Sequence, residues 1–332
     1  MTRKSTFTTS LKINSMCSQI TRSLGEDPIG SVPEWERCLV MELPAPWQPD
    51  VTQSRHFPSV LRNVILDTAI HTTQTRIQCV LPDPEYSVPG HTRLMLFSRP
   101  PVPFSTLDRL DYLVPSDEAE TLAVSLLTSR NPLKTYIENG VEKQQRELLV
   151  CTHGTRDTCC ATFGYPLYER LRARANNKRI RIWRTSHTGG HRFAPTLVDL
   201  PSGHYWANLD DQSLNALINR KGNVDSLRSN YRGWAGVSSA PVQSVEREVF
   251  MEEGWDWLDY HRSARLIETK PEETQFSVYI FHSLPNGLKQ GQYEAVVKQV
   301  GSVPLPKCLS DGTKGDTPQY HVSKLKRTSL SG

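Results

Sequence analysis

Apolar positions change period repeatedly along this chain, and each change predicts an element. Arg37 to Leu43 reads as a strand, stopped by Pro44, Pro46 and Pro49 with Trp47 among them. Within Phe57 to Ile70, Val60, Leu61, Val64, Ile65 and Leu66 recur at helical spacing. Strand-like runs follow at Arg76 to Leu81 and Arg93 to Phe97, with a weaker one at Leu107 to Val114. The stretch up to Thr128 reads as a helix with Asp117 as its cap and Glu120, three residues on, completing a capping box. The order is strand, helix, strand, strand, strand, helix.

The second half repeats much of that order more sharply. Glu147 to Val150 predicts a buried strand, Pro166 to Ala175 a helix with proline in its first turn, and Arg179 to Trp183 another strand. Thr196 to Leu200 and His204 to Asn208 flank the turn sequence Pro201-Ser-Gly203 and predict a hairpin, after which Asp210 caps a helix carrying Leu214, Leu217 and Ile218 on one face. This is the order of thioredoxins, and Ala194-Pro195-Thr196-Leu197-Val198 resembles the segment that follows the active site there. In that family the proline is cis and faces the cysteine loop; the plain alternative is a trans Pro195 that begins a strand.

Beyond residue 222, Val242 to Glu253 reads as a helix, Gly254-Trp255-Asp-Trp257 as an aromatic turn, and Phe276 to Phe281 with Tyr293 to Val300 as a hairpin. The expected fold class is α/β, with a thioredoxin-like C-terminal domain preceded by a candidate degenerate thioredoxin-like copy. The expected divisions are an N-terminal arm (1–36), an N-terminal α/β domain (37–145), the thioredoxin-like domain (146–260), a β-hairpin extension (261–307) and a disordered tail (308–332), the tail being rich in Ser, Thr, Lys and Gly.

Composition narrows the function classes. A chain of 332 residues, 37% hydrophobic and 22% charged, can bury a sizeable core. Its 39 basic and 35 acidic residues are interspersed without a block of like charge, so the net charge of +4 does not imply nucleic acid. No apolar run approaches the roughly 20 residues that span a bilayer. Seven cysteines, an odd number with no secretory leader before them, fit a reducing compartment, and the cytoplasm is the expected location. The first 25 residues have the Arg, Lys, Ser and Thr content of an organellar transit peptide but lack its amphipathic stripe.

Three of the seven cysteines and three of the ten histidines fall between Cys151 and His191, in two short clusters beside glycines. Soft ligands brought together in that way suit a metal or cluster. Gly189 and Gly190 between His187 and His191 predict a loop whose curvature brings the two imidazoles together. A zinc-stabilised interaction module is one rival, although eight residues between Cys151 and Cys160 exceed the two to four usual in structural zinc sites. A thiol-dependent oxidoreductase is another, although Cys-X-X-Cys is absent and adjacent Cys159 and Cys160 would close a strained ring. A catalytic Cys-His pair is the third, with no oxyanion-hole signature to support it. Read alone, His153 is a hydrogen-bonding neighbour of the site; Arg156, Arg181, Arg184 and Arg192 are a candidate basic rim; Cys17, Cys38 and Cys79 read as buried thiols and His204 as structural.

Cys151-Thr-His-Gly-Thr-Arg-Asp-Thr-Cys-Cys160, Trp183-Arg-Thr-Ser-His187-Thr-Gly-Gly-His191-Arg-Phe-Ala-Pro195 and the leading segment Cys17-Ser with Gly25-Glu-Asp-Pro-Ile-Gly30 closely resemble the sucrase/ferredoxin-like family. The resemblance covers roughly residues 15 to 260. It implies a thioredoxin-like ferredoxin, an electron carrier more than an enzyme, whose 2Fe-2S cluster is held by Cys151, Cys160, His187 and His191. Cys159 is the alternative to Cys160, whose spacing matches the family pattern; His153, Arg156 and Arg192 would lie around the ligands. A redox partner, reductase or acceptor, is implied with it. Two imidazoles in place of two thiolates raise the potential, as in Rieske centres, and predict one-electron transfer coupled to a proton. The sucrase in the family's name finds no support, since no carboxylate pair is placed to act as glycosidase acid and nucleophile.

Overall fold

Runs of buried apolar residues become strands because each strand's backbone groups need partners and its side chains need a core. In the computed structural model, which describes residues 16–66, 74–128, 145–175, 179–268, 274–287, 290–306 and 315–329, the protein is mixed α/β with one large mixed sheet and a second, smaller one. An N-terminal arm carries a short helix, α1 (Cys17–Ser23). The first half then runs β1 (Arg37–Glu42), α2 (Ser59–Leu66), β2 (Thr75–Val80), β3 (His91–Ser98), β4 (Asp108–Pro115) and α3 (Ala119–Thr128). The second runs β5 (Arg146–Cys151), α4 (Thr158–Arg174), β6 (Ile180–Thr185), β7 (Thr196–Leu200), β8 (His204–Ala207) and α5 (Asp211–Asn219).

Pairing repeats along with order. β1 pairs parallel with β2 and antiparallel with β3, which pairs antiparallel with β4. β5 likewise pairs parallel with β6 and antiparallel with β7, which pairs antiparallel with β8. The halves meet where β2 and β6 pair antiparallel at Val80 and Thr185, and β9 (Tyr231–Trp234) completes a nine-stranded sheet. The sheet curls enough that Arg109 of β4 reaches Glu147 of β5 at 2.5 Å. One core therefore contains Val40, Met95 and Phe97 of the first half beside Leu149, Trp183 and Leu197 of the second, together with Val245 and Phe250 of α6 (Ala240–Glu253). The other face of the first half is covered by α2 and α3, whose Leu61, Leu122 and Leu126 pack on Leu39, Met41 and Leu94.

Several elements depart from the sequence reading. The helix expected from Pro166 begins eight residues earlier, because the Asp157 side chain accepts a hydrogen bond from Cys159 N at 2.8 Å and so caps α4, leaving Pro166 inside it. Glu120 does not close a capping box on its own helix; its Oε1 accepts from Val60 N at 2.6 Å and serves the start of α2. The expected extension of α2 to Ile70 falls on residues 67–73, outside the described residues. The expected C-terminal hairpin is present as β11 (Gln275–Ser283) and β12 (Gln290–Pro304), but as the middle of a four-stranded antiparallel sheet that β10 (His261–Glu268) and β13 (Asp316–Ser329) complete. β13 occupies much of the tail expected to be disordered. Its Tyr320, Val322 and Leu325 pack against the main core, which gives a polar strand enough apolar contact to order. The Ala194–Pro195 peptide is cis, against the trans alternative.

Candidate metal centre

Cys151 is the last residue of β5 and is 1% exposed. Cys160 lies in the first turn of α4, where the helix dipole favours a thiolate. The helix sits hard against the end of β5 because residue 164 is glycine: a Cβ there would lie 1.9 Å from the Cys151 carbonyl oxygen. From the loop after β6, His187 brings its Nδ1 to 3.8 Å from Cys151 Sγ and 3.5 Å from Cys160 Sγ. The donor atoms of these three residues all lie within 4.8 Å of one another.

Gly189 and Gly190, at φ +84° and +72°, take the left-handed turn that side chains resist and return the chain toward the centre. The ring of His191 consequently lies 5.7 Å from that of His187, with its Nε2 3.9 Å from an Asp157 oxygen. His153, 3% exposed, holds the arrangement from behind. Its Nδ1 accepts from His187 N at 3.1 Å and its Nε2 donates to Gln48 O at 2.8 Å, while Trp47 meets the ring edge-on. Burial lowers the His153 pKa, so the ring is neutral and its tautomer is set by these two bonds.

The thiols are electrostatically linked. A hydrogen bond from Cys160 holds Cys151 well below the ordinary thiol value, against the effect of burial, and His187 adds to the stabilisation. Cys160, as the proton-bearing partner, is pushed up by that bond and by burial. Cys159 points elsewhere, to Cys17 of α1 at 3.3 Å between sulfurs. The bond with Cys17 lowers its pKa to about 7, with burial opposing and Ser18 assisting. Cys38 and Cys79 are buried in the sheet; burial lifts Cys38 to about 12 and raises Cys79 as well. Cys308 lies outside the described residues.

Three of the four arginines have partners of their own. Arg181 lies 3.5 Å from Glu147, Arg184 over Tyr165 and Tyr168, and Arg192 pairs with Glu26 at 2.9 Å while lying over Phe193. Arg156 donates its backbone N–H to His153 O at 3.2 Å. His204 stacks on Trp234 inside the core, and burial lowers its pKa.

Two residues beside the centre escaped the sequence reading as participants. Asp157 carries a local signal, an acidic residue two positions before Cys159 in a cap position. Cys17 carries no local signal, being 142 positions from its neighbour Cys159, and only the likeness of its Cys17-Ser segment to the family sets it apart from Cys38 and Cys79.

The sequence model of the sucrase/ferredoxin-like family matches residues 28–233. The chain belongs to the sucrase/ferredoxin-like family. The matched stretch takes in the cysteine and histidine clusters of this family member, but neither Cys17 nor the C-terminal sheet. No curated protein and no solved structure gives a significant match. None of the described helices is long and apolar enough to cross a membrane.

Proposed function

We propose that this protein is a one-electron carrier whose 2Fe-2S cluster is held by Cys151, Cys160, His187 and His191. The carrying observation is the convergence of two buried sulfurs and the His187 Nδ1 within 4.8 Å, with the second imidazole alongside. The donor set fits: two buried cysteine sulfurs and an imidazole nitrogen are soft ligands, Cys151 is already favoured as a thiolate, and His153 fixes the His187 backbone from behind. Such a cluster supplies a one-electron couple, at a potential raised by exchanging two thiolates for imidazoles. Burial of both sulfurs, each 1% exposed, keeps water from the ligands. The Asp157 carboxylate 3.9 Å from His191 Nε2 gives the imidazole proton a neighbouring acceptor, which supports coupling of the electron to a proton.

The repeated element order and pairing support reading each half as a thioredoxin-like unit, the second carrying the cluster and the first lacking ligands. A reducing compartment, the cytoplasm, with a protein redox partner there, belongs to the same reading, since the ligand thiols must stay reduced to hold a cluster. The test is iron and acid-labile sulfide content with visible and EPR spectra of the purified protein. Equal iron and sulfide with a red-brown colour is expected, and Cys151→Ser or His187→Ala should lose it while Cys38→Ser and Cys79→Ser retain it. Stoichiometric zinc in a colourless protein overturns the proposal in favour of a zinc module; a colourless, metal-free protein inactivated by alkylation favours a thiol oxidoreductase.

A further inference from the structure

We propose that Cys17 and Cys159 are a modification site: a dithiol that closes to a disulfide and fastens the N-terminal arm across the metal centre. The two sulfurs are in contact at 3.3 Å, across 142 positions of sequence, and need to approach to the roughly 2 Å of an S–S bond. Neither belongs to the group formed by Cys151, Cys160 and His187; Cys17 instead lies with Asp157 and His191, their donor atoms within 4.8 Å of one another, and so adjoins the second imidazole. They share a small apolar cluster with Ala194, Met16 and Phe163, separate from the main core, so the contact belongs to the joint between arm and centre.

The arm is positioned to make such a crosslink consequential. α1 packs on the turn His191–Phe193, and Cys159 adjoins Cys160 in the chain. Non-covalent ties hold the same segment: Arg22 to Asn208 at 2.9 Å, Glu26 to Arg192 at 2.9 Å and Asp27 to Arg247 at 2.7 Å. The first is exposed, while Glu26 and Arg247 are buried partners of partly exposed ones; all three are non-covalent and open more readily than a covalent bond.

The chemistry balances with a low-molecular-weight disulfide as oxidant. The Cys159 sulfur attacks one sulfur of the small disulfide, forms a mixed disulfide and releases one small thiol. Cys17 Sγ then attacks Cys159 Sγ, forming the internal bond and releasing the second small thiol. The two protein thiols lose two electrons, the small disulfide gains them, and both protons end on the released thiols. The reaction reverses when the small thiol is in excess.

The purified full-length protein, equilibrated in glutathione buffers of increasing disulfide fraction, then alkylated and digested, gives the test by mass spectrometry. A peptide linking Cys17 to Cys159 is expected to grow with the disulfide fraction. In Cys17→Ser the internal link should vanish and Cys159 should retain one glutathione; in Cys159→Ser, Cys17 should form no internal link. Loss of the bound metal to a chelator should be severalfold slower in the linked protein and recover when the link is reduced. Absence of the Cys17–Cys159 peptide from folded wild type at every ratio, or a link from Cys159 to Cys151 or Cys160 in its place, overturns the site. Equal metal loss in linked and unlinked protein overturns the fastening. The peptide link is read by mass whatever metal is bound, so it stands or falls apart from the cluster assignment.

Discussion

Gly164→Ala separates the effect of helix propensity from the effect of close packing, because the two predict opposite signs. In an unencumbered helix interior the change stabilises by up to about 1 kcal/mol. Here the new methyl would lie 1.9 Å from the Cys151 carbonyl oxygen, a backbone atom with no rotamer to yield. Restoring even a 3.0 Å separation from 1.9 Å requires α4 and the end of β5 to part by about 1.1 Å. Overpacking of that kind costs about 1–3 kcal/mol, so the variant should be less stable than wild type despite the better helix former. The displacement falls between Cys160 on the helix and Cys151 on the strand, where metal–ligand distances tolerate only about 0.2 Å. Urea unfolding of wild type and variant, with metal content measured on both, is the assay. A lowered midpoint with most of the metal lost is expected. A raised midpoint with full metal occupancy would refute the claim that glycine sets the spacing of the two cysteines.

Other perturbations test the surroundings. His153→Ala removes the acceptor for His187 N and the donor to Gln48 O, and should weaken metal binding about 10–100-fold in chelator competition, as loss of such supporting bonds does elsewhere; unchanged affinity would show that the His187 loop holds itself. Acid stability follows from Asp199. Burial alone would raise its carboxyl, yet Arg146 and Arg220 outweigh that and hold it at about 2, below its ordinary 3.8. Because the folded value is the lower one, the stabilisation is complete above about pH 4 and is lost as the pH falls toward 2, worth about 2 kcal/mol in all. Asp199→Asn should flatten that part of the stability–pH curve, and a variant with the wild-type slope would mean that other carboxylates carry it.

What could be read from the sequence was what short-range chemistry dictates. The strands around Leu39 and Leu149 announced themselves through continuous apolar runs, that around Ile182 through alternation with arginine, and α5 through Asp210, whose Oδ1 accepts from Ser213 N at 2.9 Å. The candidate metal-binding pattern was visible because its residues crowd into two segments joined by one βαβ unit. One failure is local and the others come from contacts far apart in sequence. Pro166 marks a first helical turn only if nothing upstream caps better, and Asp157 does. Glu120 looked like a local cap but is claimed by α2, across a tertiary contact. β13 reads as a polar tail until β12 offers it a pairing edge and the core receives Tyr320 and Leu325. Cys17 reads as an ordinary buried thiol until α1 folds back onto the start of α4.

The antiparallel seam between β2 and β6 gives the two halves the relation that subunits have across an isologous dimer interface, here enclosed in one chain. Its grip is uneven. From the first half, Gln78 Nε2 donates to Ser186 O at 2.6 Å and to Thr185 Oγ1 at 2.8 Å, Cys79 N donates to Ser186 Oγ at 3.0 Å, and Arg76 reaches His187 O at 3.3 Å. The half that carries Cys151, Cys160, His187 and His191 therefore borrows the stiffness of its histidine loop from its neighbour. Such a built-in dimer assembles independently of protein concentration, and it frees one twin to serve as a bearing for the other. A chain begun at residue 145 would lose that bearing: β6 would become an open sheet edge, and the loop leading to His187 would lose the partners that aim it.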